Sequence, residues 1–224
     1  MSEDRRDVIR DLVSGASGVL VELLTAGAPG TGAGTTLAVS TALRLGDAAM
    51  ARRHRRMGGV LVAAAEALDV GLDILEERAP DYDARLELLA QVLEAAAKTP
   101  LDAKVRALGR VLALGYQDDL EVIARAAVLA AALADLEAPH VQLLALLKSE
   151  PAPGHDLPQS KIRGGWNVMQ LETRLPAIAE VLPALLAVLL GHGLIFDAAH
   201  ATWEFVPHYA LSPLGRQCLR LLDA

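Results

Sequence analysis

Four arginines fall within five residues at Arg52-Arg53-His54-Arg55-Arg56, with Arg44 two turns earlier; no other stretch of the chain is so densely basic. At helical spacing Arg52, Arg53 and Arg56 share a face, and guanidinium groups presented together can engage phosphate, an acidic protein partner or anionic lipid. Charge runs also serve as solvated helix faces, and Glu66, Glu76 and Glu77 follow as counter-charges. Arg44, Arg52, Arg53, Arg55 and Arg56 are therefore the candidate anion- or partner-binding residues, with a solvated face as the competing expectation.

The stretch from Gly27 to Thr36, GAPGTGAGTT, has the glycine spacing of a phosphate-binding loop between Gly27 and Gly32. Ala33 stands where the phosphate-neutralising lysine belongs, and Gly34 where the metal-binding hydroxyl belongs. The preceding residues 4–24 carry Val8, Ile9, Leu12, Val13, Ala16, Val19, Leu20, Leu23 and Leu24 at helical spacing, whereas a phosphate loop follows a buried strand. The loop reads as a helix-helix connector that binds no nucleotide, although amides at the next helix start have the chemistry to catch an anion.

The remaining reactive side chains form no catalytic set. No His-x-x-x-His pair occurs, no histidine adjoins a cysteine, and only His192, His200 and His208 are brought near one another by the expected hairpin. Cys218 lies among Leu219 and Leu222 and is expected to be a packed, inert thiol. No serine occupies a Gly-x-Ser-x-Gly elbow, while Asp118-Asp119 and Glu76-Glu77 are neighbours that point to different helix faces. The expectation is a protein without enzymatic activity, cofactor or metal.

Elements rich in Ala and Leu must position these residues. The 224 residues are 53% hydrophobic and only 3% aromatic, which favours closely packed helices over strands. Helices are expected from Thr35 or Thr36 toward the arginines, then over 60–77, 81–97, 100–114, 118–136 and 140–148, with Gly58-Gly59 as a break or weak point between the first two. Thr99-Pro100-Leu101-Asp102 is a sharp boundary, with Thr as cap, Pro at the first helical position and an acid in the first turn. Residues 150–165 form the one long loop. Beyond it come helices over 167–174 and 183–190 with a proline-bounded turn between, strands near 193–197 and 202–211, and a last helix capped by Ser212-Pro213.

That order of helix, helix, Gly193-Leu194-Ile195, hairpin and closing helix resembles a winged-helix domain. The likeness covers residues 136–224, from LEAPHVQLLALL to YALSPLGRQCLRLL, and it is also similar to the layout of a loose group of bacterial helical proteins. The resemblance implies a DNA-binding helix before the hairpin. Residues 179–193, AEVLPALLAVLLGHG, hold Glu180 and no lysine or arginine, so they lack the side chains that hold phosphates and read base edges. Protein contact is the expected use instead.

The whole is expected to be mostly α, a helical bundle over 1–135 followed by a winged-helix-like module with one β-hairpin over 136–224. A formal charge of −7 disfavours non-specific binding to nucleic acid. A charged N-terminus, a single cysteine and the absence of about 18 uninterrupted apolar residues point to a cytoplasmic protein without a transmembrane segment. The leading expectation is a docking protein that binds a protein partner or itself. The alternatives are a DNA-binding regulator that uses Arg52 to Arg56 with Lys161 and Arg163, and a membrane-active effector that inserts residues 18–39 peripherally.

Overall fold

The computed structural model describes residues 34–149, 165–198 and 206–223, with side chains from Gly46 onward. The expected helix over 4–24, the glycine-rich loop before Gly34, the loop over 150–164 with Lys161 and Arg163, the expected turn at His200 and the start of the expected strand over 202–211, with Trp203 and Phe205, lie outside the described residues. By its internal contacts the chain divides into units 1–48 and 49–224. Apart from the helical backbone of 34–48, all that follows concerns the second unit, within which the boundary expected at 135/136 falls.

Among the described residues nine α-helices and one two-stranded antiparallel sheet are found. Helix α1 spans Gly34–Leu68, α2 Leu72–Arg78, α3 Asp83–Lys98, α4 Asp102–Leu114, α5 Leu120–Asp135, α6 Ala138–Ser149, α7 Val168–Arg174, α8 Leu182–Gly191 and α9 Pro213–Asp223. Short 3-10 turns occupy Ala79–Asp81 and Pro176–Val181, and strands β1 (Ile195–Asp197) and β2 (Tyr209–Leu211) pair with Phe196 opposite Ala210. Tyr209 also exchanges both backbone hydrogen bonds with Trp166, at 2.8 and 2.9 Å, which adds a bridge on the far side of β2.

Side-chain caps set several ends. Asp119 accepts from the Glu121 amide at 2.8 Å, Asn167 and Gln170 form a reciprocal capping box, and Ser212 Oγ accepts from the Gly215 amide at 2.9 Å. At the 99–102 boundary the structure modifies the expectation: the helix begins at Asp102 with Leu101 as extended N-cap, and Thr99 Oγ1 accepts from the Leu101 amide. Gly58-Gly59 does not interrupt α1. The break comes later, at Asp69 with φ of 55°, and separates α1 from α2 where a single helix over 60–77 was expected.

The reason lies in packing. A Cβ added at Gly59 would come within 3.2 Å of Val105 Cγ1, and one at Gly109 within 2.5 Å of Ala63 Cβ and 2.7 Å of the Val60 carbonyl oxygen. The two glycines let α1 and α4 cross at close range, which compensates for the roughly 1 kcal/mol a helical glycine costs. In the core α5 lies against α3 and α4, and α9 packs on α4 and α6, joining the hairpin-bearing part to the preceding helices. Arg110 reinforces this by donating to the Leu221 carbonyl at 2.6 Å.

Where α5 ends, buried Lys104 donates to the carbonyls of Ala134 (2.7 Å) and Leu136 (2.8 Å), satisfying acceptors that the helix terminus leaves open. The following helix α6 is capped by a histidine: His140 Nδ1 accepts from the Glu137 amide at 3.1 Å, and its buried Nε2 has no partner among the described residues. Burial pushes the His140 pKa down, with the Lys104 and His192 charges adding to this and Glu137 and Asp135 opposing it. The unfolded chain therefore binds more protons between the lowered value and about 6.5, so stability falls as pH drops through that window. His140→Gln keeps an acceptor for the Glu137 amide and removes the titration. Thermal melts between pH 7 and 5 should show a decline in the wild type that this variant flattens.

Candidate functional site

Arg52, Arg55 and Arg56 stand at i, i+3 and i+4 on α1, and with Gly59 they line one side of a cleft of about 410 Å³. The other side is supplied by Asp102, Val105 and Arg106 from the first turns of α4. The close crossing at Gly59 and Val105 makes the floor, and the arginines rise from it, Arg56 half-buried and Arg52, Arg55 and Arg106 exposed.

Among the described residues none of Arg52, Arg53, Arg55, Arg56 and Arg106 makes an ion pair. The pairing with Glu66, Glu76 or Glu77 expected of a solvated face is not formed. Cations elsewhere do find partners: Arg78 and Arg85 meet Asp118 at 3.0 Å each, and Lys148 meets Asp223 at 2.9 Å. Arg53 is exposed and does not line the cleft, while the Arg44 side chain lies outside the described residues. Arg106 was missed by reading along the chain, since fifty residues separate it from Arg56 and only the helix crossing brings them together.

The other candidate groups have structural surroundings. His192 Nε2 donates to Asp135 at 2.8 Å, and His208 Nδ1 donates to the Val206 carbonyl at 2.8 Å. Cys218 is fully buried in α9, and burial pushes its thiol up to about 11, which leaves it unreactive at neutral pH. Among the described residues no group of three histidine, cysteine or acidic side chains stands close enough to hold a metal ion, and no helix is long and apolar enough to cross a membrane.

Several large apolar side chains of the later elements are exposed. Met169 on α7 is 70% exposed, Val181 50%, Leu190 on α8 40% and Phe196 on β1 48%. Their inward neighbours Leu171, Leu182, Leu189 and Ile195 are buried, so these elements carry apolar side chains on both their core-facing and their solvent-facing sides. Comparison of the chain with known proteins returns nothing: no family model, no curated protein and no solved structure matches it.

Proposed function

We infer that this is a non-enzymatic docking protein whose residues 138–223 form a winged-helix-like module used for protein contacts. The order helix α6, bridge at Trp166, α7, 3-10 turn, α8, β1, β2 and closing α9 supports the likeness. The observation that carries the functional reading is the outer face of this part. Where a DNA-binding winged helix offers cations to the groove, α8 has no lysine or arginine, its Leu190 is exposed, and so are Val181 before it and Phe196 on β1. Exposed apolar side chains on well-packed elements favour a protein surface over a polyanion.

The rival is a regulator that grips DNA phosphates through the arginine cluster. Fluorescence anisotropy with a labelled duplex, at about 50 and 200 mM salt, separates the two readings. The docking reading expects no saturable binding by the wild type, and a folded protein when Arg52, Arg53 and Arg56 are all replaced by glutamate, because exposed Arg52 and Arg53 and half-buried Arg56 make no ion pair among the described residues, and exposed charges contribute only about 0 to 1 kcal/mol each. Saturable binding whose logarithm falls linearly with the logarithm of salt, and which the triple change abolishes, would establish the regulator instead.

A further inference from the structure

We propose that the cleft between α1 and α4 is a binding site for a compact ligand carrying adjacent phosphate groups, held through its oxygens by Arg52, Arg55, Arg56 and Arg106. The cleft gathers four guanidinium groups against one carboxylate, Asp102, in a chain whose acids outnumber its lysines and arginines by 28 to 21. None of the four makes an ion pair among the described residues, although Arg78 and Arg85 show that arginines of this protein take carboxylate partners where the fold offers them. Like charges held together repel, and a bound polyanion removes that repulsion.

The lining decides which anion fits. A guanidinium is permanently charged and its planar fork matches two phosphate oxygens at once. One carboxylate satisfies one such fork, whereas adjacent phosphates supply the several charges and oxygens that four forks need. Apart from the arginines, the described residues that line it are Gly59, Val105 and Asp102, with no aromatic ring among them on which a base would stack. Recognition therefore rests on the phosphates and is indifferent to any group attached to them. The cleft is a short concavity at one helix crossing, and the negative protein around it disfavours an extended polyanion such as duplex DNA.

Asp102 adds a regulating element. It precedes Arg106 by one helical turn, the spacing at which an acid and a base on one helix meet, yet the two are unpaired. Its carboxylate is the one acid among the described residues that line the cleft, so removing it should tighten binding.

Titration of the full chain with sodium tripolyphosphate by calorimetry tests the site. Saturable binding is expected, weakened about tenfold or more in Arg55→Gln and Arg106→Gln and strengthened several-fold in Asp102→Asn, as charge-assisted contacts are removed or freed. Adenosine and guanosine triphosphates should bind no more tightly than tripolyphosphate. Circular dichroism melts of each variant establish that it is folded, and should one glutamine variant fail to fold, the exposed Arg52→Gln carries the same expectation. Absence of binding would overturn the proposal, as would binding that the arginine changes leave untouched. Tighter binding of one nucleotide than of tripolyphosphate would show that a base is read. Duplex DNA binding more tightly per phosphate, through the same arginines, would make the cleft part of a nucleic-acid surface.

Discussion

Replacing Arg85 by methionine is expected to lower the unfolding free energy by about 3 kcal/mol, near the low end of what breaking a buried ionic network costs. The side chain is 0% exposed. Its Nε donates to the Gly115 carbonyl at 3.1 Å, Nη1 to the Arg78 carbonyl and to Asp81, and Nη2 to Asp118 at 3.0 Å, while the guanidinium carbon lies 4.9 and 5.0 Å from the rings of Tyr82 and Tyr116. Methionine fills much of the space but leaves the buried end of α4 and the turn after α2 without their donor, and unmet carbonyls are costly. The two acids stay in water, with Asp118 62% exposed, so the loss comes from backbone acceptors and ring contacts more than from stranded charge. Asp118→Asn, at an exposed carboxylate, should accordingly cost much less than Arg85→Met. Urea unfolding of the two variants beside the wild type checks both the size and the order.

Gly215→Ala is expected to destabilise by about 2–3 kcal/mol or more, the range of overpacking against atoms that cannot yield. An added Cβ would lie 2.2 Å from the Leu194 carbonyl oxygen and 2.7 Å from Leu211 Cδ1. That same carbonyl accepts from the Ser212 amide at 3.0 Å, so pushing it aside breaks the link that seats α9 beside the start of β1. The opposite sign is expected at Gly58, which is exposed within α1 with nothing within 4 Å of an added Cβ. There alanine should stabilise by about 0.5–1 kcal/mol through helix propensity and a less flexible unfolded chain. Thermal melts of the two alanine variants should move in opposite directions.

Much of the helical layout was legible because its signals are local. Ser212 caps the expected last helix, and Asp119 and Asn167 with Gln170, whose partners also lie within three residues, cap helices that begin within two residues of the expected starts. The short hairpin was also legible from the change of period after Gly193, although the start of its second expected strand lies outside the described residues. Gly58-Gly59 misled because glycine weakens an isolated helix, whereas here the crossing against α4 uses Gly59 for close approach and carries the helix through to Leu68. Arg85 did leave a trace: it falls in phase with Leu88, Val92 and Ala95 on the buried stripe of α3, where an arginine signals a satisfied network. Arg106 left none, since its place beside Arg52, Arg55 and Arg56 depends on which helices cross, and periodicity along one element carries no information about that.

The exposed apolar face of α8 and β1 can be interrogated directly in cells. A photoreactive phenylalanine analogue placed at Leu190 or at Phe196, with the exposed Glu87 as control position, reports what touches each site on illumination. Adducts at Leu190 and Phe196 that protease removes and nuclease does not, exceeding those at Glu87, are the expected result, whether the captured protein is a second copy of this chain or a different one. Nuclease-sensitive adducts, or a yield at Leu190 and Phe196 no higher than at Glu87, would contradict a protein-docking role for this surface.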